Sequence, residues 1–324
     1  HLPLYRQDQI YGRQGGHLDR PPLADWVGKA AFLLRPVHDR LFERLKASTK
    51  LFADETTAPV LDPGRGRTKT GQFFAYARDE RPWGGADPPG VTYLYAPDRK
   101  AEQPIRHLQG FTGVLQVDGY AGYNTLAGKN AVSLAFCWSQ VRRKFYDLAQ
   151  GGPAPIASEA LLRIAELYRI EGDIRGRSAA ERRDTRPARS RPIVEALEPW
   201  LQGKLLLVSQ KSKLAEAIRY ALSRWAGLRR FLDDGRVEID SNVVERAIRP
   251  IALNRKNALF AGSDGGAEHW AVIASLVETC KLNGVDPQAY LVDVITRIVA
   301  GHPQSQIDNL LPWAYAPQPL KAVA

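Results

Sequence analysis

Three short aromatic and β-branched segments in succession, followed by two short apolar ones, restrict the fold more than any other feature of the chain. Residues 50–54, 72–77 and 91–95 carry Phe52, Phe73, Phe74, Tyr76, Val91, Tyr93 and Tyr95, and Gly- and Pro-bearing stretches at 63–71 and 82–90 divide them. That spacing predicts three consecutive strands joined by hairpins. Residues 113–118 and 131–137 are apolar runs bounded by turn residues, the pattern of strands buried on both faces. A short helical stretch around Ile105 and Leu108 precedes the fourth strand, and helical segments lie between and after the last two. The expected fold class is α/β, a mixed sheet in the order βββαβαβα.

The flanking sequence has helical periodicity. Residues 18–50 form a helical lead-in, with Leu23, Trp26, Val27, Ala30, Leu33, Leu34 and Val37 spaced by threes and fours. Residues 150–235 read as a helical insertion, broken at 176–192 by a Ser-, Arg- and Pro-bearing stretch whose Arg run at 175–191 reads as a disordered linker. Further helices are expected over 267–282 and from Asp286-Pro287 to about Ala300, followed by a partly ordered Pro-rich tail over 312–324.

Composition narrows the functional classes. A length of 324 residues allows about two domains and a sizeable core. No window approaches 18 apolar residues, and the N-terminus lacks a signal-peptide pattern, so membrane spans and secretion are disfavoured. The chain starts with His and contains no Met, which reads as a fragment or processed product. Cys137 and Cys280 are far apart and form no metal knuckle, so a reducing, cytoplasmic compartment is expected. The six histidines show no ligand spacing, and no hydrolytic triad is supported. A formal charge of +10 points toward nucleic acid.

Asp54 ends the first expected strand and Asp118 the fourth. If those strands are parallel neighbours, both carboxylates meet at one sheet edge, where their repulsion favours a hard divalent cation. Paired cations of this kind serve phosphoryl transfer by activating the attacking oxygen and stabilising the leaving one. Glu245 is the candidate third carboxylate, on a helix whose apolar face includes Val243, Val244, Ala247 and Ile248. Asn242 three residues before it also fits a capping box, so helix capping is the competing reading of Glu245. Arg65, Arg67 and Lys69 at a hairpin tip, Arg142, Arg143 and Lys144 after the fifth strand, and Arg246 and Arg249 beside Glu245 are candidate DNA-backbone contacts. Solvated faces and turns are the competing reading. The 64–71 loop lacks the Lys-Ser/Thr of a nucleotide-binding phosphate loop, and residues 262–266 read as a turn capping a helix.

Several blocks together resemble transposases of the insertion-sequence-66 family. They are Phe52 to Thr56, Gly64 to Gly71, Leu115 to Tyr120, Cys137-Trp138 with Arg142 to Phe145, Val243 to Pro250, Arg255 to Asn257, Phe260 to Asp264 and Lys281 to Pro287, and they span nearly the whole chain. The resemblance implies a ribonuclease-H-like fold with a DDE triad on Asp54, Asp118 and Glu245, and Mg²⁺ as cofactor with Mn²⁺ as the other hard cation. It implies core segments at 51–149 and 236–284 around the insertion, and a C-terminal element at 285–324. The implied activity is cutting at the terminal inverted repeats of a mobile element and joining the ends to target DNA, by a bacterial, nucleoid-associated homo-oligomer. A binding remnant without cutting activity and a metal-dependent nuclease are the other readings. Three departures stand out: Gln140 occupies a position where the family usually has His, Ser241 one where it usually has Asn, and the family's N-terminal coiled-coil, helix-turn-helix and cysteine-rich regions are absent from the sequence.

Overall fold

The computed structural model describes residues 3–16, 18–129 and 131–316. His1, His17 and most of the Pro-rich tail lie outside the described residues. Two helices lead in, α1 (Leu4–Arg13) and α2 (Arg20–Lys46), and then come β1 (Lys50–Asp62), β2 (Arg67–Arg78), β3 (Gly90–Ala96), α3 (Glu102–His107), β4 (Gly113–Val117), α4 (Ala121–Lys129), β5 (Val132–Phe136) and α5 (Trp138–Gln150). This is the expected βββαβαβα order. Five helices follow: α6 (Pro155–Asp173), α7 (Ala179–Arg189), α8 (Arg191–Leu207), α9 (Lys213–Leu222) and α10 (Trp225–Arg229). The chain closes with α11 (Asn242–Asn254), α12 (Asp264–Leu282) and α13 (Pro287–Val299).

The five strands form one mixed sheet in the order β3-β2-β1-β4-β5. β1 pairs antiparallel with β2 and β2 with β3, whereas β4 runs parallel to both β1 and β5. Alternation along β1 sends successive side chains to opposite faces. Leu51 and Ala53 join the core formed with α2, α4, α12 and α13, while Phe52 and Val60 join the one formed with α11 and α12. A third core, built on Ala135, Trp138 and Phe145, packs α5 against α6, α8, α9 and α10.

Edge strand β3 would present free backbone groups, and α12 takes them up. Ser275 Oγ accepts from the Tyr93 N–H at 2.8 Å, and Thr279 Oγ1 both accepts from the Val91 N–H and donates to its carbonyl. Ser275 and Thr279 are one helical turn apart, so one face of α12 serves strand residues two apart.

Two expectations need correcting. Residues 67–71 are strand, not separator: β1 and β2 pair continuously as far as Asp62 opposite Arg67. Asp54 therefore lies inside β1. What ends near it is the parallel pairing with β4, whose last register pair is Ala53 with Val117. The 176–192 stretch is no linker either, because it contains α7 with Arg182 and Arg186 buried. Arg186 makes a two-bond fork onto Glu171 at 2.7 and 2.9 Å and donates to the Val237 carbonyl, and Arg182 donates to Glu238 at 2.7 Å. Guanidinium donors are expensive to bury unless paired, and here a carboxylate and backbone carbonyls from other segments pair them.

Candidate active site

The parallel register brings two of the three expected carboxylates together. Ala53 is level with Val117, so the next residues, Asp54 and Asp118, stand side by side, and the shared alternation turns both toward the α11 face. Glu55 joins them from the other face. One oxygen from each of Asp54, Glu55 and Asp118 lies within 4.8 Å of the others. Burial pushes the Asp54 carboxyl up to about 8, helped by the charges of Asp118, Glu55 and, more weakly, Glu245, against a bond from the Glu55 N–H. Glu55 is also raised, by burial and by Asp118. Its oxygens are already engaged: Arg99 donates to Oε1, and the Tyr123 hydroxyl to Oε2 at 3.1 Å.

Glu245 lies outside that group of three but close enough for its charge to act on Asp54. The capping-box reading does not hold. The residue preceding the first turn of α11 is Ser241, whose backbone N–H goes to Cys137 Sγ at 3.2 Å. The Glu245 carboxylate instead accepts from the Ser241 hydroxyl at 3.1 Å, while Asn242 turns back to Asp240 at 2.7 Å.

A strap of backbone places α11. Buried Gln116 on β4 donates to the carbonyls of Glu238 and Asp240 at 2.7 and 2.9 Å, and the Trp138 N–H donates to Ile239 O at 3.0 Å. The chain entering α11 is thus tied to the strand that carries Asp118, and Val244, Ile248 and Ile251 then seat the helix on Phe52 and Ala75.

The loop bearing Asp118 is held by α9 and the turn that follows it. Gly119 takes φ +118°, a conformation that suits glycine, and an added Cβ would lie 2.7 Å from Arg224 Nε. The Tyr220 hydroxyl donates to Asp118 O at 2.9 Å and Arg224 to Gly119 O at 3.1 Å, while the Tyr120 N–H reaches Asp118 Oδ1 at 3.2 Å.

The basic candidates are dispersed. β1 runs on past Asp54 for roughly 26 Å at about 3.3 Å per residue, so Arg65 and Arg67 lie at a ribbon tip well beyond the carboxylates, with Arg65 3.5 Å from Asp62. Lys69 is paired with Asp264 at 2.7 Å, at the start of α12. Arg142 and Arg143 are exposed on α5, whereas Lys144 meets Glu216 at 3.2 Å and covers the Tyr220 ring. Arg246 and Arg249 are exposed on α11, about one turn apart in its second and third turns. Gln140 is half-buried in the first turn of α5.

The Transposase IS66 family model matches residues 1–269, and the IS66 C-terminal element matches residues 275–313. The chain belongs to the IS66 transposase family. Curated relatives of this IS66 chain include three uncharacterized proteins of Sinorhizobium fredii. y4qI is 49% identical over 98% of the chain, y4jD 47% over 97% and y4hP 40% over 97%. The chain spans 60%, 63% and 59% of their respective lengths.

Glu55 and Arg99 were not among the residues singled out from the IS66 sequence. The signal for Glu55 was its place beside Asp54. Arg99 follows the end of β3, which runs in the same direction as β1 and so delivers its following turn to the edge shared with Asp118.

The carboxylates fit a hard cation. All donors are oxygens, three residues supply them within 4.8 Å, and Asp54 resists ionisation in the absence of a positive partner. No described helix is long and apolar enough to cross a membrane.

Proposed function

We propose that the chain is the catalytic region of a DDE transposase, with Asp54, Asp118 and Glu245 as the metal-holding triad on a ribonuclease-H-like core. In this reading the core comprises residues 51–149 and 236–284, interrupted by the insertion at 150–235 and followed by the C-terminal element from 285. The observation that carries it is the proximity of Asp54 and Asp118, one residue past the last β1–β4 register pair, beside the sheet face covered by α11, the helix bearing Glu245.

Asp54 and Asp118 supply the oxygens for Mg²⁺ or Mn²⁺, and Glu245 reaches the same face from α11. Bound there, such ions supply activation of a water or 3′-hydroxyl and stabilisation of the leaving oxygen. Ser241 orients the Glu245 carboxylate, and Tyr220 and Arg224 hold the backbone beneath Asp118, so the ligands are set before DNA arrives. Arg142, Arg143, Arg246 and Arg249 present exposed cations to phosphates, and the 62–67 ribbon tip carries Arg65 and Arg67 further along the duplex. The substrates are the terminal inverted repeats of the element and its target DNA, bound by a homo-oligomer.

Single-turnover cutting of a labelled end oligonucleotide in Mn²⁺ tests the triad. Asp54→Asn, Asp118→Asn and Glu245→Gln are each expected to slow cutting by roughly 10³-fold, the loss of several kcal/mol of charge stabilisation. Glu55→Gln is expected to slow it by only about tenfold. The opposite order for Glu55 and Glu245 would assign the third ligand to Glu55.

A further inference from the structure

The notable cation at this site is one that the proposed mechanism leaves unused. Arg99 is one hydrogen bond from the carboxylate group: Nε donates to Glu55 Oε1 at 3.0 Å, and Nη2 donates to the same oxygen. Both bonds fall on a single atom, and among the described residues Nη1 has no acceptor. The side chain is 50% exposed while its partner Glu55 is 2% exposed. The guanidinium lies 4.3 Å from the centre of the Tyr120 ring, and the Tyr120 hydroxyl donates to the Arg99 carbonyl. Tyr120 is also the residue whose N–H holds Asp118 Oδ1 at 3.2 Å. The fork is therefore braced on the loop that carries Asp118, close enough for that carboxylate to act on its charge.

An arginine that merely neutralised Glu55 would gain nothing from exposure and an open edge. A guanidinium with free in-plane donors, held by stacking, is the geometry that receives a phosphate oxygen. The other cations considered above either lie on other elements or, like Lys69 and Lys144, are paired with carboxylates elsewhere.

We propose that Arg99 is the phosphate-receiving residue of this centre: its guanidinium rests on Glu55 as an internal counter-ion and passes to a DNA phosphate when a divalent cation takes over neutralisation of the carboxylates. The inference rests on the metal-centre reading above. It assigns Arg99 two separable effects, competition with the cation and attraction of the DNA.

Mn²⁺ titration of the full chain, followed by electron paramagnetic resonance, reads the first effect without turnover. Arg99→Gln keeps a stem over Tyr120 but removes the charge, and a thermal melt monitors its fold. It is expected to bind Mn²⁺ roughly three- to tenfold tighter than the parent, the scale of losing one neighbouring positive charge at a half-exposed position. In saturating Mn²⁺ the same variant is expected to cut a labelled end oligonucleotide about 10²-fold more slowly, and Arg99→Lys to recover part of that rate. Unchanged or weaker Mn²⁺ binding by a folded Arg99→Gln, or cutting at the parent rate, overturns the inference while leaving the metal centre intact. A parent chain that binds no Mn²⁺, or an Asp118→Asn variant that binds it as well as the parent, overturns the metal-centre reading and the inference with it.

Discussion

Buried beside Asp118, the Asp54 carboxyl is pushed up to about 8, so near neutral pH the metal-free fold keeps a proton there that the unfolded chain has lost. Between the ordinary carboxylate value and about 8 the folded state binds more protons than the unfolded one, so this group's contribution to stability falls as pH rises through that window. Asp54→Asn removes the penalty. In chelator, the variant is expected to melt a few degrees above the parent at about pH 8.5 and to gain less at about pH 5, while cutting is lost. Calorimetry at the two pH values checks this, and an equal gain at both would deny that Asp54 is strained by charge. Of the residues near this group, Asp118 was legible because it follows the end of a short apolar strand, and Asp54 because the aromatic run pauses there, although β1 itself continues to Asp62. Arg99 was not, because its importance depends on β3 and β1 pointing the same way, which no local pattern states.

Among the elements, the parallel β1–β4 pairing sets Asp54 beside Asp118, and the strap over 238–240, to which the α7 ion network is bonded, positions α11. Arg186 is wholly buried, with Glu171 as its two-bond partner. Arg186→Met leaves that carboxylate in the interior without its fork, and a loss of about 3–5 kcal/mol is expected in denaturant unfolding. A shift below about 1 kcal/mol, the scale of an exposed pair, would mean that solvent reaches the network. The same segment shows where sequence reasoning stops. Ser, Arg and Pro over 176–192 have the composition of a linker, and only partners from α6 and from residues 231–238 turn those arginines into core. Gly71 gives a milder case. It counted as a loop residue, yet it lies in β2 under the Tyr95 ring, where a Cβ would come within 2.5 Å of that ring. Glycine here serves close packing, not a turn. Gly119 is the opposite kind, with φ +118° and Arg224 against it. Gly119→Ala is expected to slow cutting by at least about tenfold with the overall fold retained, through displacement of Asp118. Circular dichroism alongside the kinetics checks both parts, and an unchanged rate would show that the loop tolerates the change.

Across the whole molecule, a formal charge of +10 favours DNA, but the exposed cations are spread over α5, α11 and the ribbon. Each that meets a phosphate adds to the salt dependence of binding. Arg246→Gln and Arg249→Gln are each expected to lower the log–log slope of affinity against salt by about 1, and an unchanged slope would remove those residues from the interface. Strand order and the helix-rich second half were largely legible, because periodicity records burial. The placement of Glu245 was less so, since it follows Asp118 by more than a hundred residues and its approach to the sheet depends on the Gln116 strap that ties α11 to β4. The capping alternative could be dismissed only once Ser241, not Asn242, proved to be the residue before the first turn of the helix. In the proposed function these carboxylates join DNA strands and do not merely cut them. Strand transfer tests it most directly: pre-cut ends of the parent element, a plasmid target and Mg²⁺ or Mn²⁺, with Asp118→Asn alongside. End-to-plasmid product is expected from the parent chain and none from the variant. Product from Asp118→Asn, or a parent chain that cuts the plasmid without ever joining the ends, would contradict it.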